Sequence, residues 1–337
     1  PGDKLRAMAE FEFEFAVLGA GAMGSILGAH LARAGHRVAM LARGARARAL
    51  AAHGLTITGL TDFTMPVTVL EDPQRLASAR TLIVATKTPG TEAALRPLAH
   101  VPFAETLSIQ NGPLKNEILA RVFGAQRVLG ALADTSGELL ADGRVLFTRN
   151  VNILVGELPR GDSERARRVA AALEGAGVRA ATSAEILSLE WSKFCAWVGL
   201  MSLSVTTRAP TWQYLSDADS ALVMVRLVRE MGRLAGALGI ALVDRAILPT
   251  ASLCAGSESD AVALITRAGA NYQANAPAHR MSSLQDVAAG RPLEVNETLG
   301  YALDKARALE LDLPLLAGFR HLIAAIDRIA RAPASAG

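Results

Sequence analysis

The sequence predicts an α/β protein in which an N-terminal, mostly parallel β-sheet is followed by a C-terminal all-α domain. Short apolar segments alternate with helical patterns over the first half of the chain, and the strand pattern stops at about Ser183. Apolar strands separated by helices are typical of a parallel sheet buried on both faces. Strands followed only by helices indicate two domains of different class. We predict a first domain over residues 8–183 and a helical domain over 184–331, with residues 1–7 and 332–337 disordered.

The elements of the first domain follow in order. The predicted strands are Phe13–Leu18, Arg37–Ala42, Thr81–Ala85, Thr106–Ile109 and Val128–Ala131. Helices are predicted at Met23–Ala34 and Thr91–Leu98, between strands. The stretch Leu139–Gly156 alternates around Gly143, which favours antiparallel or edge strands that close the sheet.

Helical periodicity in the sequence predicts the helices of the second domain. Ser183 can cap a long helix over Glu185–Thr206, because a serine hydroxyl accepts hydrogen bonds from the first backbone N–H groups of a helix. Further helices are predicted at Ala218–Leu238, Ala261–Ala268, Glu297–Leu309 and Leu315–Ile329.

Composition excludes several classes of protein. The 337 residues are 51% hydrophobic and carry a net charge of +3, which argues against a disordered chain and against nucleic acid as a partner. There is no apolar run of the ~18–20 residues that span a membrane, and no signal-peptide pattern. Cys195 and Cys254 form no disulfide framework, and the histidines show no metal-ligand spacing with them. We therefore expect a cytoplasmic protein with no metal and no membrane partner.

A glycine-rich turn follows the first predicted strand and opens the first predicted helix. Gly19 permits the tight turn, Gly21 allows the backbone to approach a pyrophosphate, and Gly24 allows helix and strand to pack closely. The pattern in this context predicts a Rossmann-type dinucleotide-binding domain. We assign to cofactor binding the whole turn: Gly19, Ala20, Gly21, Ala22, Met23 and Gly24.

The end of the second strand indicates which dinucleotide is bound. An NAD site places a carboxylate there, whereas this chain has Arg43, with Arg46 and Arg48 close behind it. A guanidinium suits a 2′-phosphate in charge and in geometry, so Arg43 predicts NADP. Arg46 and Arg48 can equally be a solvated helix face.

Several motifs in fixed order carry a family resemblance. They are the glycine turn, Leu41-Ala42-Arg43-Gly44, Thr86-Lys87-Thr88, Ile109-Gln110-Asn111-Gly112, Trp191-Ser192-Lys193-Phe194 and Ser282-Ser283-Leu284-Gln285-Asp286, the last followed by Gly290-Arg291-Pro292-Leu293-Glu294. Over nearly all of 13–316 the chain resembles the ketopantoate reductase (2-dehydropantoate 2-reductase) family. The resemblance implies NADPH-dependent reduction of a 2-oxo acid to a 2-hydroxy acid, in pantothenate biosynthesis.

The resemblance also implies roles for particular residues. Lys193 would be the general acid, and Glu294 would orient that lysine and the substrate. Asn111 would bridge the substrate and the nicotinamide, Ser282 would contact the substrate carboxylate, and Lys87 would lie near the cofactor. The substrate is a small 2-oxo acid, and a homodimer is left open.

Physical chemistry supports a catalytic role for Lys193 independently of the resemblance. Hydride attack on a ketone develops negative charge on oxygen, so the site needs a positive proton donor. The chain has only five lysines, and Lys193 lies in the otherwise apolar segment 187–203. Simpler interpretations remain open: Lys193 can be a surface lysine paired with Glu190, and Glu294 a capping carboxylate. Asn111 can serve a turn, and Ser282 a helix cap.

One departure from the family concerns the substrate. The family carries asparagines on the Lys193 face of this helix, where this chain has Trp197 and Met201. Both would line the substrate site and make it apolar. This favours a more hydrophobic 2-oxo acid, or another carbonyl compound, over ketopantoate.

Other possibilities stay open at this point. An opine-type or other 2-hydroxyacid dehydrogenase shares the architecture, and a non-catalytic NADPH-binding sensor or scaffold is an alternative of another class. His279 is the histidine near a site motif, whereas Cys195 lies two residues from Lys193 and is expected in the core.

Overall fold

The computed structural model describes residues 11–245 and 247–331, so the predictions for residues 1–7 and 332–337 lie outside it. The chain divides into two compact units. The first runs to Gln110 and resumes over Lys115–Ile186, and the second consists of Asn111–Leu114 and the chain from Leu187 onward. The predicted first domain, residues 8–183, includes Asn111–Leu114, so the structure corrects this assignment. The segment groups with the second unit because Gly112 packs against the ring of Phe194.

Within the described residues, the first unit contains one ten-stranded sheet. Its strands are β1 (Phe13–Leu18), β2 (Val38–Leu41), β3 (Leu55–Gly59), β4 (Phe63–Met65), β5 (Thr68–Leu70), β6 (Ala79–Val84), β7 (Glu105–Ser108), β8 (Val128–Leu139), β9 (Val145–Glu157) and β10 (Ala180–Thr182). The order is β4-β3-β9-β8-β7-β6-β1-β2-β5, and β10 pairs with β9. The predicted class, a mostly parallel sheet followed by helices, is confirmed.

Pairing is parallel from β8 through β7, β6, β1 and β2 to β5. The carboxyl ends of β1, β2, β6 and β7 therefore lie at one edge of the sheet, where α/β proteins bind ligands. β8 and β9 form an antiparallel pair, as predicted, with register shifts after Asp134 and Ser136. They do not close the sheet, because β9 also pairs with β3 and β10. The prediction that β8 ends at Ala131 was wrong, because pairing with β9 carries the strand on to Leu139.

The helices of residues 11–185 are α1 (Ala22–Arg33), α2 (Gly44–His53), α3 (Thr91–Leu95), α4 (Leu114–Phe123) and α5 (Glu164–Gly175). The predicted helix Thr91–Leu98 is interrupted: α3 gives way to a 3₁₀ turn over Arg96–Leu98. Pro97 lies in this turn, and a proline lacks the N–H that an α-helix needs.

The helices from residue 186 onward are α6 (Ile186–Thr207), α7 (Thr211–Ser216), α8 (Ala218–Ala237), α9 (Thr250–Cys254), α10 (Glu258–Asn275), α11 (Ser282–Ala288), α12 (Tyr301–Ala308) and α13 (Pro314–Arg331). A π-helical turn over Asn296–Gly300 precedes α12. The Ser183 hydroxyl accepts a hydrogen bond from the Glu185 N–H, just ahead of α6. α10 is much longer than predicted and is capped by Ser257. None of the described helices combines the length and apolar character that crossing a bilayer requires.

The core of the second unit surrounds α6. Residues on every side of this helix are buried, including Phe194, Cys195, Val198 and Leu200. Cys195 is a core residue, as expected, and burial raises the pKa of its thiol. Lys193 is partly exposed on this helix, whereas every other residue from 189 to 205 is buried.

His30 is a buried histidine of α1 with polar partners at both ring nitrogens. Its Nδ1 lies 2.9 Å from the Ala176 carbonyl oxygen, and its Nε2 lies 3.3 Å from the Thr61 hydroxyl. The rings of Phe63 and Phe147 pack against it edge to face. Burial lowers the pKa of His30, because the charged imidazolium is poorly solvated there.

This pKa makes stability depend on pH. Below about pH 6.5, the ordinary histidine value, the unfolded chain takes up a proton at His30 that the folded chain resists. We expect the free energy of unfolding to fall as the pH drops below that value, and His30→Gln to show a shallower dependence despite lower stability at pH 8. Urea unfolding of both proteins between pH 5 and pH 8 measures this. Parallel curves would contradict the assignment to His30.

Candidate active site

The glycine-rich turn has the local geometry that its sequence predicts. Gly19 has a φ of +104°, and a Cβ there would lie 2.8 Å from Cγ2 of Thr86. A Cβ on Gly24 would lie 1.9 Å from the Gly19 carbonyl oxygen, so only glycine allows this approach of α1 to β1. Gly21 is exposed, and a Cβ placed there would project into open space, with no contact within 4 Å apart from atoms of the adjoining chain.

The N-terminus of α1 is suited to an anion. Gly21 is its N-cap residue and gives no side-chain cap, and no acidic residue lies in the first turn. The first backbone N–H groups of a helix lack partners within the helix, and the helix dipole favours a negative charge there. With the open face of Gly21, this turn fits the pyrophosphate of a dinucleotide.

The three arginines after β2 differ in their surroundings. Arg43 is exposed and occupies the N-cap position of α2, and Arg48 is exposed one turn later. The interpretation of Arg46 as part of a solvated face was wrong. Its guanidinium is partly buried and donates hydrogen bonds to the carbonyl oxygens of Ala20 and Gly143 and to the hydroxyl of Ser25.

A buried amide joins the loops that follow β6 and β7. The Nε2 of Gln110 donates to the Thr86 carbonyl oxygen at 3.0 Å and to the Thr91 hydroxyl at 2.7 Å. The Thr91 hydroxyl in turn donates to the carbonyl oxygen of Lys87 at 2.9 Å. The backbone of Lys87 is thereby held near the carboxyl end of β6, while its side chain is exposed.

Lys115 is a buried lysine that the sequence analysis did not assign to the site. Its Nζ donates to the carbonyl oxygen of Gln110 at 3.1 Å and to that of Ala131. Gln110 directly precedes Asn111, which is partly exposed. Lys115 therefore fixes the chain immediately before a predicted site residue.

Lys193 lies on α6 and is partly exposed, whereas its neighbours Ser192 and Phe194 are buried. The Ser192 hydroxyl donates to the Ser188 carbonyl oxygen and accepts from the Val243 N–H at 2.8 Å. The ring of Phe194 packs edge to face against Trp191, with 5.8 Å between centroids. These contacts fix the turn of helix that carries Lys193.

Glu294 is 9% exposed and is held through the backbone on both sides. The preceding Leu293 N–H donates to Oδ1 of Asp327 at 3.0 Å, and Asp327 is paired with Arg331 at 2.6 Å. The Thr298 hydroxyl donates to the Glu294 carbonyl oxygen. α13 therefore supports the segment that carries Glu294, a link that sequence spacing does not reveal.

A second carboxyl lies close to Glu294. Glu297 is partly buried on the π-helical turn, in which the Gly300 N–H donates to the Val295 carbonyl oxygen at 2.9 Å. Burial raises the pKa of Glu297, and the Glu294 carboxylate raises it further. π-helical turns occur frequently at functional sites.

Ser282 begins α11 and is exposed, whereas Ser283 is buried and its hydroxyl has no hydrogen-bond partner among the described residues. The interpretation of Ser282 as a helix cap was wrong, because Met281 is the N-cap residue and no side chain caps α11. The segment before α11 is anchored by His279, whose Nδ1 lies 2.9 Å from the Thr211 hydroxyl.

Trp197 and Met201 are both in the core of the second unit, at 5% and 1% exposure. The Thr298 hydroxyl lies 4.0 Å from Sδ of Met201. Both side chains are therefore closely packed, and a hydroxyl group lies next to Met201. Their assignment to the substrate site stays a prediction.

Taken together, the predicted site residues fall into two groups. The glycine turn, Arg43 and Lys87 belong to the first unit, whereas Asn111, Lys193 and Glu294 belong to the second, with Ser282, Trp197 and Met201. Among the described side chains, no group of three or more His, Cys, Asp or Glu residues is arranged to hold a metal ion.

Most of the chain matches family models and related proteins. Residues 15–160 match the family model described as ketopantoate reductase PanE/ApbA, and residues 185–327 match that of its C-terminal domain. The chain is 27% identical to the 2-dehydropantoate 2-reductase of Archaeoglobus fulgidus, over 92% of this chain and 97% of that protein.

Two solved structures have a similar fold. The PanE/ApbA family ketopantoate reductase from Ralstonia eutropha JMP134 has a TM-score of 0.80 at 24% identity, covering 94% of this chain and 99% of that one. D-mandelate dehydrogenase with NADH and anilino(oxo)acetate has a TM-score of 0.80 at 18% identity, with the same coverage.

Proposed function

The chain belongs to the ketopantoate reductase family, and we propose that it reduces a 2-oxo acid to the corresponding 2-hydroxy acid with NADPH. It is an oxidoreductase acting on the CH–OH group, like the 2-dehydropantoate 2-reductases that it resembles. The observation that carries the finer proposal is that Lys193 is partly exposed on α6, whereas every other residue from 189 to 205 is buried.

The proposed mechanism assigns one task to each part. The dinucleotide supplies a hydride when bound, and the N-terminus of α1 beside Gly21 would bind its pyrophosphate. Lys193 would donate a proton to the oxygen on which negative charge develops. Glu294 would orient the ammonium group, and Ser282 would bind the substrate carboxylate. Asn111 would bind the substrate carbonyl and the nicotinamide.

The preference for NADPH rests on Arg43. It is exposed at the end of β2, and the first turn of α2 contains no acidic residue that could bind a ribose 2′-hydroxyl. A guanidinium at this position can donate two parallel hydrogen bonds to a 2′-phosphate.

We expect Arg43→Ala to weaken NADPH binding by about 1–3 kcal/mol, or ~5–150-fold, and to leave NADH binding nearly unchanged. Fluorescence titration with each dinucleotide measures this. Arg48→Ala, which removes the same charge from an exposed position of the same helix, is the control. Equal loss for both dinucleotides, or a preference of the unaltered protein for NADH, would refute the assignment.

The proposed class of substrate follows from the apolar side chains of Trp197 and Met201. Side chains this apolar on the Lys193 face favour a 2-oxo acid with an aliphatic or aromatic side chain over ketopantoate. A non-catalytic sensor or scaffold is the alternative of another class. The presence of both Lys193 and Glu294 argues against it.

The proposed activity can be tested by measuring NADPH oxidation with a panel of 2-oxo acids, each with and without an amine. Turnover of 2-oxo acids alone would support the proposal, and turnover only with an amine would identify an opine-type enzyme. NADPH binding without turnover of any carbonyl compound would favour the sensor or scaffold.

A further inference from the structure

We propose that Arg46 is a positioning residue for the cofactor: it holds the glycine-rich turn in its binding conformation for NADH and NADPH alike. The proposal rests on the dinucleotide site described above and adds a residue to it. Arg43 is the N-cap residue of α2 and Arg46 lies in the first turn of that helix. We assign the two arginines different tasks.

The geometry of the Arg46 guanidinium carries the argument. Its Nε donates to the Ala20 carbonyl oxygen at 3.0 Å, and its Nη2 donates to the Ser25 hydroxyl at 3.0 Å. The Ser25 hydroxyl itself donates to the same Ala20 oxygen at 3.2 Å. Ala20 is therefore held by two donors that also contact each other. A planar guanidinium makes such contacts with little loss of freedom.

The orientation of the Ala20 carbonyl determines the orientation of the next N–H. In a planar trans peptide the C=O and N–H bonds point in opposite directions. With the Ala20 oxygen directed at Arg46, the Gly21 N–H is directed away from Arg46. Gly21 is the N-cap residue of α1, at the site where the pyrophosphate is expected. Arg46 therefore preorganises a binding donor.

A third contact ties this turn to the sheet. Nη1 of Arg46 donates to the Gly143 carbonyl oxygen at 2.7 Å. Gly143 lies in the turn between β8 and β9, where its N–H donates to the Leu140 carbonyl oxygen at 3.0 Å. The guanidinium thus joins the glycine turn, α1 and the β8–β9 turn. None of these three partners distinguishes NADH from NADPH.

The positive charge of Arg46 also favours binding of the cofactor's pyrophosphate. The Arg46 guanidinium is partly buried behind the Ala20–Gly21 peptide, on the side opposite to the Gly21 N–H, and a fixed positive charge there is screened less than at the surface. Both dinucleotides carry the pyrophosphate, and only NADPH carries the 2′-phosphate. Loss of Arg46 should therefore affect both cofactors equally, whereas loss of Arg43 should affect mainly one.

The test measures dissociation constants of NADH and NADPH by fluorescence titration. For Arg46→Met we expect both to rise by about tenfold, the effect of losing charge-assisted hydrogen bonds, with their ratio unchanged. The KM for NADPH should rise similarly, while kcat at saturating NADPH stays near the wild-type value. Arg46→Lys keeps the positive charge but loses the planar set of N–H donors. We therefore expect a smaller loss of affinity, of about threefold, for both cofactors. Arg48→Met is the matched control.

Wild-type affinity for both cofactors in Arg46→Met would overturn the proposal, as would a loss confined to NADPH. If Arg46→Met does not fold, wild-type affinities in Arg46→Lys overturn it, and an equal loss for both cofactors supports it. An unaltered protein that binds neither dinucleotide would instead refute the proposed function itself.

Discussion

Lys193→Ala should lower kcat by about 10²–10⁴-fold and leave the affinity for NADPH close to that of the unaltered protein. The ammonium group acts on the alkoxide that forms during hydride transfer, so its loss affects the transition state more than the bound cofactor. Lys193 is partly exposed, unlike the other residues of 189–205 on the same helix, so its truncation leaves little cavity.

Three further measurements separate the loss of the Lys193 ammonium group from a loss of folding. Lys193→Met keeps the aliphatic chain and removes the charge, so it should be as inactive as Lys193→Ala. Lys305→Ala removes a lysine of the same unit that lies over the ring of Tyr301, and it should retain normal turnover. Thermal unfolding should show that the Lys193 variants remain folded. Near-normal turnover of the true substrate by either Lys193 variant would show that this lysine is structural.

Trp197→Asn combined with Met201→Asn should shift substrate preference toward ketopantoate. In the unaltered protein we expect ketopantoate to be a poorer substrate than an aliphatic or aromatic 2-oxo acid, because its hydroxyl would be buried without a partner. An unpaired buried polar group costs about 1–3 kcal/mol, which corresponds to roughly 5–150-fold in kcat/KM.

The measurement is kcat/KM for ketopantoate, 2-oxoisovalerate and phenylpyruvate on both proteins. Both side chains are buried, so the double variant will also be less stable. The ratio between substrates is the internal control, since a smaller folded fraction lowers all three values alike. If the unaltered enzyme prefers ketopantoate by about tenfold or more, other residues supply the missing hydrogen bonds and the argument from Trp197 and Met201 is wrong.

The sequence alone determined the features that depend on neighbouring residues. The strand Phe13–Leu18 has the predicted bounds, and α1 and α6 lie within one residue of theirs. These segments carry their own apolar periodicity, which local physics converts directly into secondary structure. The glycine turn is equally local, because a positive φ at Gly19 and a close approach at Gly24 select glycine whatever the rest of the chain does.

Tertiary structure alone decided the features that join distant parts of the chain. The short strands β3, β4, β5 and β10 were not predicted: most of their residues are exposed or only partly buried, unlike those of β2 and β7, so these strands depend on their partners in the sheet. Arg46 and Arg48 look alike in the sequence, and only the folded chain brings Gly143 to one of them. Asp327 likewise reaches Leu293 across the packing of α13. Hydrogen bonds between residues far apart in sequence leave no periodic signal, because nothing in local spacing records which surfaces will meet.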